Sequence, residues 1–146
     1  MSEEILSSDN SVSRLLSRQS LVQFLVQMDF RSDSFEENLK KFSDYSETSF
    51  GEDKYFISVA HGVCDEKENI DKMISGFMRK DWSLDRINKV VTAILEVAFY
   101  EILHCDDIPT SVSINEAVKL SKKFADNKDY IFVNGILSSF AKSLDK

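Results

Sequence analysis

An all-α fold is what this sequence predicts, and three observations carry the prediction. Only four glycines and one proline punctuate 146 residues, too few for the turns of a hairpin-rich β fold. Apolar residues recur at the spacing of a buried helix face along most of the chain. Hydrophobic residues are 42% of the total and charged residues 29%, enough to bury a core behind a solvated surface. The expected organisation is one domain over 11–146, with a helical subdomain at about 11–80 and a second at about 81–146.

The acidic, polar start "MSEEILSSDNS" reads as a tail over 1–10, the reverse of a signal peptide's basic start and apolar middle. Over 11–30, Leu15, Val22, Leu25 and Val26 mark one helix face, and Leu21, Phe24 and Met28 widen it. So broad an apolar surface predicts a helix packed on two sides. A weaker helix fits 34–45, with Ser34 as N-cap and Glu37 three positions on. The stretch "SDYSETSFGED" at 43–53 reads as a loop. Residues 53–79 carry a long stripe of Phe56, Val59, Ala60, Val63, Ile70, Met73, Ile74 and Phe77. Over 83–104, Ser83 can cap a helix, Asp85 suits its positive end, and Ile87, Val91, Ile94, Ala98 and Ile102 form the inner face. Shorter helices follow at 113–125 and 129–144, the last carrying Phe132, Val133, Ile136, Leu137 and Phe140.

The one proline sits in "CDDIPTSVSINEAVKL". Pro109 lacks an N–H and biases Ile108 towards extended backbone, so the helix before it must stop. Ser113-Ile114-Asn115-Glu116 matches S-x-x-E, the capping box, in which Ser113 and Glu116 each satisfy a backbone N–H of the first turn. Glu116 therefore reads as a helix initiator and not as a catalytic acid.

Composition also excludes functions. A net charge of −7 argues against a protein that coats nucleic acid nonspecifically, because phosphate binding rests on Lys and Arg. A small local basic site remains compatible with it. Cys64 and Cys105 are too few for a disulfide framework. No apolar run approaches the roughly 20 residues of a membrane helix, so no membrane partner is expected and the location expected is cytoplasmic. His61-x-x-Cys64 and His104-Cys105 lack the Cys-x-x-Cys knuckle of a zinc site, so no metal is expected. There is no glycine-rich phosphate loop and no nucleophile motif, so neither a cofactor nor catalysis is expected.

The C-terminal half carries a specific likeness. "AILEVAFYEILHCDDIPTSVSINEAVKLSKKF" followed by "YIFVNGILSSFAK" closely resembles the NusB family of bacterial transcription antitermination factors. The matching elements are Ala98-Phe99-Tyr100-Glu101, Ile108-Pro109, Ile114-Asn115-Glu116-Ala117, Lys122 and Phe132-Val133-Asn134-Gly135, in the expected order. "SRLLSRQSLVQFLVQMDF" and "YFISVAHGV" match more loosely. The resemblance implies an all-α, NusB-like fold of about six to seven helices in two packed subdomains. It implies pairing with NusE, a small-subunit ribosomal protein, and binding to boxA RNA of nascent transcripts within an RNA polymerase antitermination complex, notably on ribosomal RNA operons. An apolar helix face could pair with NusE or with a second copy as a homodimer. Similar helical domains are fused to ribosomal RNA methyltransferases, but 146 residues leave no room for a cofactor-binding domain.

Departures from the family pattern remove positive charge. The first helix retains only Arg14 and Arg18 of a usual arginine cluster, Glu96 stands where Arg is common, and Ile131 replaces a basic residue. A protein-only interaction module that binds NusE or itself, with RNA binding weak or lost, is accordingly the rival reading.

Arg14 and Arg18, four apart on one helical stripe, are the leading RNA contacts. Phe132 is placed to stack on an unpaired base, and Lys122, Lys123 and Lys128 extend a basic rim. Asp85, Lys89, Thr92 and Glu96 form a polar stripe that suits a basic ribosomal partner. Tyr100 reads as a core aromatic with a bonded hydroxyl, and Gly135 as a point of close helix approach, with Asn134 bonding backbone.

Overall fold

The computed structural model describes residues 2–29, 34–46 and 53–144, without the side chains of 2–13, 29, 45 and 46. Among these residues there are seven α-helices and no strand: α1 (Ser2–Asp29), α2 (Phe35–Ser46), α3 (Lys54–Asp65), α4 (Lys67–Gly76), α5 (Lys89–His104), α6 (Thr110–Phe124) and α7 (Asp129–Ser143). No proline or glycine interrupts 2–29, and α1 runs from Ser2, through the segment read from sequence as a tail. The loop expected at 43–53 lies mostly outside the described residues, with α2 continuing to Ser46.

The chain divides into two compact units, Met1–His61 and Gly62–Lys146, with α3 passing from one to the other. The boundary falls well before residue 80 because α4 packs on α5. In the first unit, Ser34 accepts the Glu37 N–H at 3.2 Å and caps α2 as expected. Phe24 is the centre of its core, edge-on to Phe35 and Phe42 at 5.5 Å and 5.6 Å from Phe56.

The long stripe at 53–79 proves to be two helices broken at Glu66. Val63 and Ile70, seven apart, both stay buried, so the break leaves no mark on the apolar pattern. The helix expected from residue 83 likewise starts later. Ser83 caps only a short 3-10 turn, Leu84–Arg86, and Asn88 caps α5 by accepting the Val90 N–H at 2.8 Å.

In the second unit α5 is central, packed against α4, α6 and α7. Every residue from Val91 to Phe99 is buried. Phe99 stacks on Phe140 of α7 at 4.0 Å, and Phe77 meets Phe140 edge-on at 5.8 Å.

The capping box at Ser113 does not form. Pro109 occupies the cap position of α6, and its carbonyl accepts from the N–H groups of Val112 and Ser113. The helix thus starts one turn earlier than S-x-x-E implies. Pro109 needs no donor partner there and its fixed φ leads into the helix. Ser113 turns inward and donates to Glu101 at 2.8 Å, with both residues buried. Glu116 Oε2 is buried with no hydrogen-bond partner among the described residues.

Candidate nucleic-acid interface

The first unit assembles one cationic group. Asp53 caps α3 by accepting the Phe56 N–H at 3.0 Å, and it also accepts the Ser17 hydroxyl of α1. This ties α1 to the start of α3 and sets the Tyr55 ring beneath two guanidiniums. Arg14 lies 4.4 Å and Arg18 5.5 Å from the ring centroid. The four-residue spacing does bring both arginines to one place, but they are not equivalent. Arg18 is only 5% exposed, whereas Arg14 is half-buried. Burial takes Arg18 out of direct reach of a phosphate, leaving Arg14 as the cation with access and Tyr55 as a platform that holds it. Sequence alone does not mark Tyr55; its position at the start of the family-like "YFISVAHGV" is the one signal it carries.

The second unit assembles an aromatic groove of mixed charge. Phe132 is half-buried and stands apart from the buried set Val133, Ile136, Leu137 and Phe140 on its own helix. Its ring lies 5.8 Å from that of Trp82, at 31°. Trp82 is 47% exposed, and the Arg79 guanidinium sits 5.9 Å from its ring. The two aromatics line a groove of about 890 Å³ together with Arg86, Asn88, Lys128 and the carboxylates of Asp81, Asp126 and Asp129. Lys122, Lys123 and Lys128 are exposed; Lys122 leans over the Tyr130 ring at 4.7 Å and does not line the groove. Trp82 and Arg86 are not legible as site residues from sequence, because "WSLDRI" reads as the start of a helix.

The polar stripe proposed for a protein partner is dispersed. Asp85 belongs to the 3-10 turn, Lys89 opens α5, and Thr92 and Glu96 are buried. A helix enclosed on three sides has no solvated face on which to carry such a stripe. Asp85 instead lines a second groove of about 600 Å³ with Glu68 and Asp71.

Glu96, 4% exposed, serves as a buried anchor. Lys67 of α4 donates to it at 2.7 Å and also lies 3.3 Å from Asp71. Burial pushes the Glu96 carboxyl up to about 8; hydrogen bonding with Asp71 and repulsion from it add to the rise, and Lys67 offsets only part. One half-exposed cation shared by two carboxylates leaves the more buried one holding its proton. Burial, and after it the charge of Glu96, pushes the nearby Cys64 thiol up to about 11, which keeps it protonated and unreactive.

Tyr100 sits 4.8 Å from the His104 ring, and its own ring occupies the space a side chain at position 62 would need: a Cβ on Gly62 would lie 2.1 Å from it. Gly135 is the opposite case. It and Asn134 are exposed, and a Cβ at 135 would meet nothing within 4 Å, so close helix approach is not its role. His61 stacks on Phe35 at 3.9 Å and faces Glu36 at 3.6 Å, while His104 lies 3.0 Å from Glu66. No helix is long and apolar enough to cross a membrane among the described residues.

A model of the NusB family matches residues 16–142. The transcription antitermination protein NusB of Clostridium botulinum is 39% identical over 133 residues, covering 90% of this chain and 99% of that protein. Among solved structures, T. maritima NusB is 31% identical with a TM-score of 0.79, covering 88% of this chain and 90% of that one. A structure of the antitermination factors NusB and NusE in complex with dsRNA shares the fold, with a TM-score of 0.77 at 24% identity, covering 89% of this chain and 96% of that one.

Proposed function

The chain belongs to the NusB family, and on that footing we propose that it is a non-catalytic, RNA-binding transcription antitermination factor that pairs with NusE and binds boxA RNA. The observation that carries this reading is the family likeness over nine-tenths of the chain, joined to an aromatic groove of mixed charge at Phe132 of the family motif. Arg14 on its Tyr55 platform supplies charge, Lys128 and Arg86 rim the groove, and the acidic groove of Glu68, Asp71 and Asp85 suits a basic ribosomal protein. Recruitment of the polymerase follows from the partners, and no step requires bond-making chemistry.

Titration of boxA RNA with the chain, with NusE and with both tests the reading. The mixture is expected to bind more tightly than either component, with an affinity that falls as salt rises. Unchanged affinity and salt slope on replacing Arg14 and Arg18 by Ala would sink the arginine assignment. Burial of Arg18 and the charge of −7 favour a second reading, a module for protein contacts alone. Retention of NusE by a complex that ignores boxA would establish that alternative.

A further inference from the structure

We infer that the α4–α5 contact couples docking of a basic partner in the acidic groove to release of a proton from Glu96. This rests on the NusE-pairing reading above and adds a regulation to it. The geometry is a relay of three groups. Asp71 belongs to both places: it lines the groove with Glu68 and Asp85, and its Oδ2 lies 3.3 Å from the Lys67 ammonium. Glu96 lies outside the groove lining but meets the same ammonium at 2.7 Å. Asp71 Oδ1 is buried and accepts no hydrogen bond from an ordinary donor among the described residues. A proton on Glu96, which hydrogen-bonds Asp71, supplies that oxygen with a donor. Two carboxyls, one ammonium and one proton then form a set without net charge.

A basic partner changes that balance at Asp71. Glu68, Asp71 and Asp85 outnumber Lys72 in the groove lining, so a cationic side chain is the occupant its charge selects. A cation arriving beside Asp71 offsets the repulsion that this carboxylate exerts on Glu96, and it competes with Lys67 for Asp71. Both effects favour the ionised form of Glu96, whose proton leaves for solvent. The groups that face Glu96 are Lys67 and Asp71 of α4 and the Cys64 thiol of α3; α6 and α7 add none to the charges acting on it among the described residues. Cys64, held at about 11, stays protonated throughout. The free chain keeps the Glu96 proton up to about pH 8, and the complex loses it at lower pH. Affinity for the partner must then rise with pH below that value and level off above it.

Calorimetric titration of the chain with NusE, at about pH 7.5 in two buffers of different ionisation enthalpy, counts the protons released. The wild-type chain is expected to release about half a proton more than Glu96→Gln, whose amide keeps a donor for Asp71 but cannot ionise. The ratio of wild-type to variant affinity should rise by about tenfold between about pH 6 and about pH 9, which removes any titration within NusE itself. Circular dichroism checks that the variant is folded. Carboxyl-carbon NMR of the wild-type chain needs no variant: the Glu96 midpoint should fall from about 8 to about 7 or below when NusE is added. Equal proton counts from wild type and variant, or a Glu96 midpoint unmoved by NusE, would overturn the coupling and leave the pairing with NusE standing. NusE affinity unchanged by Glu68→Gln combined with Asp85→Asn would put the partner elsewhere and overturn it as well. A chain that binds no NusE at any pH in this range would remove both.

Discussion

At the scale of single residues, Gly62 and Gly135 are alike in sequence and opposite in structure. Each sits within a helix, where glycine costs about 1 kcal/mol relative to alanine. At position 62 that cost is forced by the Tyr100 ring, which a new methyl group would strike. Gly62→Ala should destabilise the protein by about 1–3 kcal/mol, the usual penalty for overpacking. Gly135→Ala meets open space and should stabilise it by about 0.4–1 kcal/mol. Thermal melts of the two variants shifting in the same direction would contradict this account. Ser113 shows the same dependence on surroundings. Its hydroxyl bonds the buried Glu101 carboxylate instead of capping a helix, so Ser113→Ala should cost about 1–3 kcal/mol, the range for a lost buried bond to a carboxylate. A loss under half a kcal/mol in urea denaturation would show that the bond contributes little. The S-x-x-E motif was legible, but Pro109, four residues upstream, had already started the helix.

At the scale of elements, the contact of α4 with α5 carries a proton-dependent device. The Glu96 carboxyl rises from an ordinary 4.5 to about 8 in the folded protein, so between those values the folded state holds more protons than the unfolded one. Stability must then fall as pH rises through that window and level off above it. Urea midpoints measured from about pH 5 to about pH 9 should show this decline, and Glu96→Gln, which fixes the neutral form, should flatten it. An unchanged pH profile in the variant would mean that Glu96 is already ionised against Lys67 at neutral pH. The helices themselves were legible, because 3.6-residue periodicity locates buried faces. Their interruptions were not. A stripe continuing from Val63 to Ile70 passes over the break at Glu66, and "SLDRIN" carries two capping residues of which the first holds only a short turn. Nor does periodicity reveal that α5 is enclosed by three neighbours, which is why a stripe read as a partner surface includes the buried Thr92 and Glu96. Lys67 brings a cation to Glu96 from the neighbouring helix.

At the scale of the whole molecule, a body of net charge −7 has to hold a polyanion. Phe132 is legible in the family motif and Lys128 as part of an exposed basic rim; Trp82 and Arg86 need the fold, since their groove joins segments more than 40 positions apart. Among the described residues, the cations assigned to phosphate are Arg14 in the first unit, and Arg86 and Lys128 in the second. For single-stranded RNA each neutralised phosphate contributes about −0.7 to the slope of log affinity against log salt, so three contacts predict a slope of about −2. Affinity for boxA RNA should therefore fall by roughly fifteenfold between about 50 and about 200 mM salt, a shallow dependence for a nucleic-acid binder. Adding NusE should steepen the slope if the ribosomal partner supplies further cations, and Arg14→Ala should lower its magnitude by about 0.7. A slope near zero for the chain alone, with binding retained, would mean that stacking holds the RNA and these three cations do not. A slope of about −5 or steeper would require more phosphate contacts than these three cations supply, and would place the principal RNA surface elsewhere on the protein.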